Sequence, residues 1–195
     1  MIKNILCLFF LLVLLCSHIY SQQTDSSLMA PSKITLHSIT QAGVIKGQQD
    51  HLALSLQLIN GLSFKKWFTG IGVGVDDYQY RSIPLFLDVR RNLQWGRTGF
   101  FVYADGGISF PWAVKKEEQA SIYVFKRGLY SDIGIGHTFK INRTNAIILS
   151  GGYSIKKLIK ERTNFYYLNG NKILERPELY YYELKRVLFK IGFQF

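Results

Sequence analysis

Between Ile34 and Phe195 apolar side chains recur at every second position in one segment after another, and no convincing stretch of helical period interrupts them. A period of two puts alternate side chains on opposite faces of an extended strand. The segments run over Ile34–Ile45, His51–Gly61, Trp67–Asp76, Ser82–Leu93, Gly99–Phe110, Gly128–Ile141, Asn145–Lys157 and Tyr180–Phe195. In the second, Leu52, Leu54, Leu56 and Leu58 share one face, and Ala53, Ser55 and Gln57 the other. The fourth sets Ile83, Leu85, Leu87 and Val89 against Phe86, Asp88, Arg90 and Asn92. The fifth sets Phe100, Val102, Ala104, Ile108 and Phe110 against Tyr103, Asp105 and Ser109.

A soluble sandwich also alternates, so the character of the second face decides between architectures. That face carries Gln57, Asp88, Arg90, Asp105, Asp132, Arg186 and Lys190, too polar for a dry core and too evenly spaced for loops. With the apolar face turned to lipid, these residues line a narrow lumen in which acids and bases pair. A sheet crossing hydrocarbon must close, because unpaired backbone groups at an open edge are costly there. Eight strands of about 10 residues make the smallest common closed membrane barrel. The predicted fold class is all-β: an eight-stranded antiparallel up-and-down transmembrane β-barrel over 34–195.

Link lengths agree. The links Leu62–Lys66, Gln94–Thr98 and Asn142–Thr144 are short, whereas Pro111–Arg127 and Leu158–Leu179 are long. Short turns on one side and long loops on the other are the periplasm-versus-exterior asymmetry of such barrels, which puts both termini in the periplasm. The link around Asp77–Arg81 is intermediate, and Lys46–Asp50 is a short exception.

The N-terminus supplies the route. Lys3 precedes the unbroken apolar run Ile5–Cys16, shorter than the roughly 20 residues of a spanning helix. Ser17 and Ser21 place cleavage after Ser21, making 1–21 a signal peptide and 22–33 a mobile periplasmic tail. A lipoprotein reading through Cys16 comes second, because Leu15 stands where a small residue is expected. Both cysteines, Cys7 and Cys16, leave with the signal segment, which removes disulfides, thiolate metal sites and cysteine nucleophiles from the mature chain. The expected localisation is the outer membrane.

The chain ends on Val187, Phe189, Ile191, Phe193 and Phe195, alternating with Lys190, Gly192 and Gln194. With Asn60-Gly61, Gly70-Ile-Gly72-Val-Gly74, Ile83-Pro84-Leu85-Phe86-Leu87-Asp88, Gly134-Ile-Gly136 and Gly151-Gly152-Tyr153, this ending resembles the small eight-stranded outer-membrane β-barrels of Gram-negative bacteria (OmpA/OmpX-like, porin superfamily). The resemblance covers the whole mature chain. It implies that Phe189, Ile191, Phe193 and Phe195 form the signal read by the barrel assembly machinery. Phe195, being terminal, is expected to add no interior hydrogen bond to the finished barrel.

Other features bear on chemistry. Gly70, Gly72 and Gly74 lack the spacing and following helix of a phosphate-binding turn; on the lumen face they make room for Arg90, Phe86 or Tyr103. Asp88, Arg90, Asp105, Asp132, Lys156, Arg186 and Lys190 mix both signs, so a self-paired plug is favoured over a conducting path. The mature histidines, His37, His51 and His137, have no Gly-x-Ser-x-Gly elbow to serve, and no catalytic, cofactor or metal site is expected. Asn142-Arg143-Thr144 reads as a turn, and Asn169-Gly170 as a hairpin turn whose flanking strands project beyond the membrane.

The chain carries a formal net charge of +11. Lys156, Lys157, Lys160, Arg162, Lys172 and Arg176 mingle with Phe165, Tyr166, Tyr167, Tyr180, Tyr181 and Tyr182. In an exported barrel this mixture suits outer-leaflet lipid and lipopolysaccharide phosphates better than nucleic acid. The resulting expectation is a monomeric, non-enzymatic envelope protein with a structural or surface-interaction role. A lipid A-modifying membrane enzyme and a small pore are the alternatives.

Overall fold

The computed structural model describes residues 34–46, 52–77, 80–93, 99–118, 120–142 and 144–195. The expected signal segment 1–21 with both cysteines, the expected tail 22–33, His51 and the links at 47–50 and 94–98 lie outside the described residues. The strands are β1 (Thr35–Lys46), β2 (Leu52–Phe64), β3 (Trp67–Asp77), β4 (Arg81–Asn92), β5 (Phe100–Pro111), β6 (Lys115–Glu118), β7 (Ser121–Lys126), β8 (Gly128–Lys140), β9 (Ala146–Leu168), β10 (Asn171–Leu174) and β11 (Glu178–Gln194).

Eight of them form a closed antiparallel wall in the order β1-β2-β3-β4-β5-β8-β9-β11, with β11 returning to β1. The seam runs from Ile39 opposite Gln194 to Lys46 opposite Val187. Beyond it, the Phe195 amide donates to the Ser38 carbonyl at 2.9 Å and the Ser38 amide donates to the Phe195 carbonyl at 2.8 Å. The last residue therefore does carry ladder bonds, contrary to the sequence expectation, because the pairing of β1 reaches one residue past β11. Deleting Phe195 should cost about 1–2 kcal/mol for these two bonds at a frayed end. Urea unfolding of the barrel in phospholipid vesicles measures it, and an unchanged midpoint would show that the seam ends at Gln194.

The faces follow the alternation. Leu54, Ile71, Leu87 and Phe189 are each more than 60% exposed, whereas Gln57, Asp88 and Asp132 are buried inside. The interior is less polar than the sequence suggested. Ile39, Ile59, Phe68, Phe86, Phe101, Tyr103, Tyr130 and Ile148 form one buried cluster within the lumen, since the bore of eight strands is filled by side chains and a few charges leave most of it to rings and aliphatics.

Glycines set where the large rings go. A Cβ on Gly72 would lie 2.3 Å from the Phe86 ring, so Phe86 occupies the space opened on β3. Tyr103 takes the space at Gly134 and Gly152 instead, and the nearest atoms around Gly70 and Gly74 belong to neither Arg90 nor Tyr103. Gly72→Ala should destabilise the barrel by about 1–3 kcal/mol through overpacking, and Phe86→Leu in the same chain should recover most of it. Gly106, with nothing within 4 Å of its notional Cβ, is the control: Gly106→Ala should stay within about 0.5 kcal/mol.

At the end away from the termini the wall continues upward on one side. β9 runs 23 residues without a break. Above the barrel it pairs with β7 (Ser121–Asn164 to Lys126–Ile159), with the top of β11 (Glu178–Arg162) and with β10 (Leu174–Phe165 to Asn171–Leu168). The β9–β10 turn has Asn169 and Gly170 at φ 52° and 80°, left-handed values that Asn-Gly tolerates and that suit a tight hairpin. The projecting hairpin expected from Asn169-Gly170 is present, and the two long links hold strands rather than irregular loop.

Candidate functional site: the filled lumen and the sheet above it

Three strands place an aspartate at the same level of the bore. Asp88 on β4 is in register with Asp105 on β5, and Asp105 with Asp132 on β8. Directly opposed like charges repel, and all three side chains are buried, so their stability depends on countercharges. Arg90 supplies one: its Nε donates to Asp88 Oδ1 and Oδ2 at 2.9 Å, and its Nη2 to Oδ2 at 2.7 Å. The guanidinium also lies over the rings of Phe101 at 5.4 Å and of Phe68 and Tyr103 at 5.8 Å, favourable cation–π positions.

Lys190 supplies the second from the closing strand. Its Nζ donates to Asp132 Oδ2 at 2.7 Å, stands 3.7 Å from Asp105 Oδ2, and lies 4.3 Å over the Tyr103 ring. Tyr103 in turn donates its hydroxyl to Asp132 Oδ1 at 3.2 Å. Neither Asp105 oxygen has a hydrogen-bond partner among the described residues, so Lys190 is its nearest ion-pair contact. An amide chain completes the layer: Gln41 donates to Gln57 at 2.7 Å, and Gln57 donates to the Tyr130 hydroxyl at 2.9 Å.

Towards the long-link end, Lys156 is fully buried and donates to Asp76 Oδ1 at 2.5 Å and to the Ser82 hydroxyl, which itself donates to Asp76. Arg186 faces the lumen opposite Ser154. Sequence reasoning grouped Lys156 with both the lumen and the surface cations; it belongs to the lumen. Asp76 and Ser82 were missed, because they flank a turn and read as strand ends. At the terminal mouth, Phe68, Arg90, Phe101 and Gln194 border a cavity of about 40 Å³, room for a water and little more.

The histidines do not gather a reaction centre among the described residues. His37 Nε2 meets the Thr35 hydroxyl at 3.1 Å. His137 packs edge-on to Phe100 and tilted against Phe139, with centroids 4.7 and 4.3 Å away. Phe189, Ile191, Phe193 and Phe195, expected as an assembly signal, all point outward, 41–66% exposed, and Phe193 stacks on Phe195.

The upper sheet has two different faces. Outward, Lys126 pairs with Glu161 at 2.7 Å and Lys185 with Glu183 at 3.1 Å, and Leu179, Tyr181 and Lys157 are exposed. On the side continuing the lumen face, Lys160 lies 4.1 Å over the Tyr123 ring and 5.8 Å from that of Tyr80. At the edge, Lys172 donates to Glu117 at 2.7 Å, a bond that holds the Glu117 carboxyl below the usual carboxylate range.

No family model matches the chain, and no curated relative does. Among solved structures, outer membrane protein AlkL, determined by solid-state NMR in DMPC lipid bilayers, aligns with a TM-score of 0.51 at 11% identity, over 89% of this chain and 95% of that one. A de novo designed transmembrane β-barrel aligns at 0.44 with 9% identity, over 86% and 98%. Neisserial surface protein A aligns at 0.23 with 7% identity, over 83% and 95%. With the closed wall and its apolar exterior, the AlkL likeness gives this chain its fold: a small eight-stranded transmembrane β-barrel of the outer-membrane type.

Proposed function

We propose that the protein is an exported, non-catalytic outer-membrane barrel that does not conduct, and that it acts at the cell surface through the sheet above its wall. The observation carrying this reading is the filled bore, crossed at one level by Asp88, Arg90, Asp105, Asp132 and Lys190 and backed by a cluster of rings and aliphatics. Two long, structured links at the end opposite the termini, where every link at the terminal end is short, support an orientation with termini in the periplasm. Lys157 and Lys185, beside Tyr153 and Tyr181 on the outward face, suit outer-leaflet lipid and lipopolysaccharide phosphates. Phe189, Ile191, Phe193 and Phe195 suit recognition by the barrel assembly machinery during insertion. Purified protein in planar bilayers should show no steady conductance. On intact cells, a cysteine replacing Tyr167 in the upper sheet should react with a membrane-impermeant maleimide. Steady single-channel openings, or a thiol labelled only after lysis, would overturn the reading.

A further inference from the structure

Above the barrel, the side of β9 that continues the lumen face carries Lys160 and Arg162 in a frame of aromatic rings. Lys160 stands in register between Phe125 of β7 and Tyr180 of β11, and Arg162 between Tyr123 of β7 and Glu178 of β11. Tyr80, from the β3–β4 link, closes one side against Phe125, ring centroids 4.4 Å apart.

Neither cation has a carboxylate ion-pair partner among the described residues. Lys160 rests on the rings of Tyr123 and Tyr80. Arg162 Nε donates to the Ser121 hydroxyl at a long 3.4 Å. The acid beside it, Glu178, accepts the Tyr180 hydroxyl at 2.6 Å. The outward face differs, since Lys126 and Lys185 there are matched by Glu161 and Glu183.

We propose that this face binds an acidic polysaccharide arriving from outside the cell, with a sugar ring lying on the exposed Tyr180 beside the half-buried Tyr123 and Tyr80, and carboxylate or sulfate groups on Lys160 and Arg162. The inference rests on the surface reading above and names its ligand class. Charge complementarity selects the anion: two part-exposed cations without acid partners attract one, and charge-assisted bonds from ammonium and guanidinium hold it. The ring frame selects a sugar over a bare anion, because aromatic faces offer flat apolar area to the C–H face of a pyranose while the tyrosine hydroxyls reach its oxygens. Position selects the source. The face continues the lumen side, turned away from the lipid around the wall, so lipopolysaccharide alongside the barrel meets the opposite face.

The test uses the full mature barrel in lipid nanodiscs, with polygalacturonate and dextran sulfate as probes and neutral dextran as the control. At least one acidic polymer should bind saturably, with neutral dextran silent. Lys160→Gln with Arg162→Gln should weaken binding about tenfold, and Lys157→Gln with Lys185→Gln on the outward face should change it by less than about twofold. Tyr180→Leu should weaken binding more than Tyr180→Phe, which frees Glu178 equally but keeps the ring, and that difference separates ring contact from charge. Each variant is checked for folding by its shifted mobility on an unboiled gel; should the paired change fail to fold, Tyr180→Leu and Lys160→Gln alone carry the test. Equal losses from the two faces, no loss in any inner-face variant, or tighter binding of a single-stranded oligonucleotide than of either polysaccharide would overturn the proposal. A barrel that is silent in bilayers and labelled at the surface yet binds no polysaccharide overturns this inference alone; a conducting or unlabelled one overturns the surface reading.

Discussion

Lys190→Met should destabilise the barrel by about 3–5 kcal/mol, the range for stranding buried partners of an ion pair. The side chain is matched in length, so lost packing is small. What disappears is the ammonium 2.7 Å from Asp132 and 3.7 Å from Asp105. Asp105 is the more exposed to this loss in energy, because neither of its oxygens has a hydrogen bond among the described residues. Adding Asp105→Asn and Asp132→Asn to Lys190→Met should restore more than half of the stability, since amides need no countercharge. Reversible urea unfolding in vesicles measures both. A single change costing under about 1 kcal/mol, or no gain from the added amides, would show that the lumen is wetter and the pair weaker than the geometry implies.

Leu87→Arg should cost about 2–4 kcal/mol, because it puts a cation in hydrocarbon near the midplane. Leu87 is central in β4 and faces outward, in register with Ile71 on one side. Leu52 also faces outward and is 70% exposed, but it is the first residue of β2, at the rim. There an arginine extends its guanidinium into the headgroups, and Leu52→Arg should cost about 0–1 kcal/mol. Equal costs at the two positions would mean that the wall is not positioned in the bilayer as its strand ends indicate.

Where the outward face is continuously apolar and the inward one mixed, the sequence was readable, as in Leu85–Leu87–Val89 against Phe86–Asp88–Arg90. That Arg90 and Asp88 share the lumen face was legible for the same reason, two residues apart on a strand being one face; which of Asp88, Asp105 and Asp132 Arg90 meets was not. Lys190 with Asp105 and Asp132 was legible as a set but not as a pairing, since that depends on which strands meet around the closed wall. The upper sheet was hidden. Lys115–Glu118 is charged throughout, and Ile122–Val124 and Tyr123–Phe125 are apolar on both sides of their strand, so neither shows alternation. Beyond Lys157, β9 reads Leu-Ile-Lys-Glu-Arg-Thr-Asn-Phe and loses its period because both faces there are partly open. The inner-face pattern at Lys160 and Arg162 existed only once β7 and β11 were laid on either side of it.

Lys190 travels on the last strand, whereas Asp105 and Asp132 sit on β5 and β8. During assembly, a wall paired only as far as β9 holds those two carboxylates side by side with their ammonium still absent. A one-residue slip of β11 turns Lys190 out to lipid, and a two-residue slip carries its ammonium about 7 Å along the strand, out of reach of both acids. Pairing of these two carboxylates and correct seating of the final strand are thus a single event. The barrel carries an internal proofreading contact that rewards only the properly registered closure.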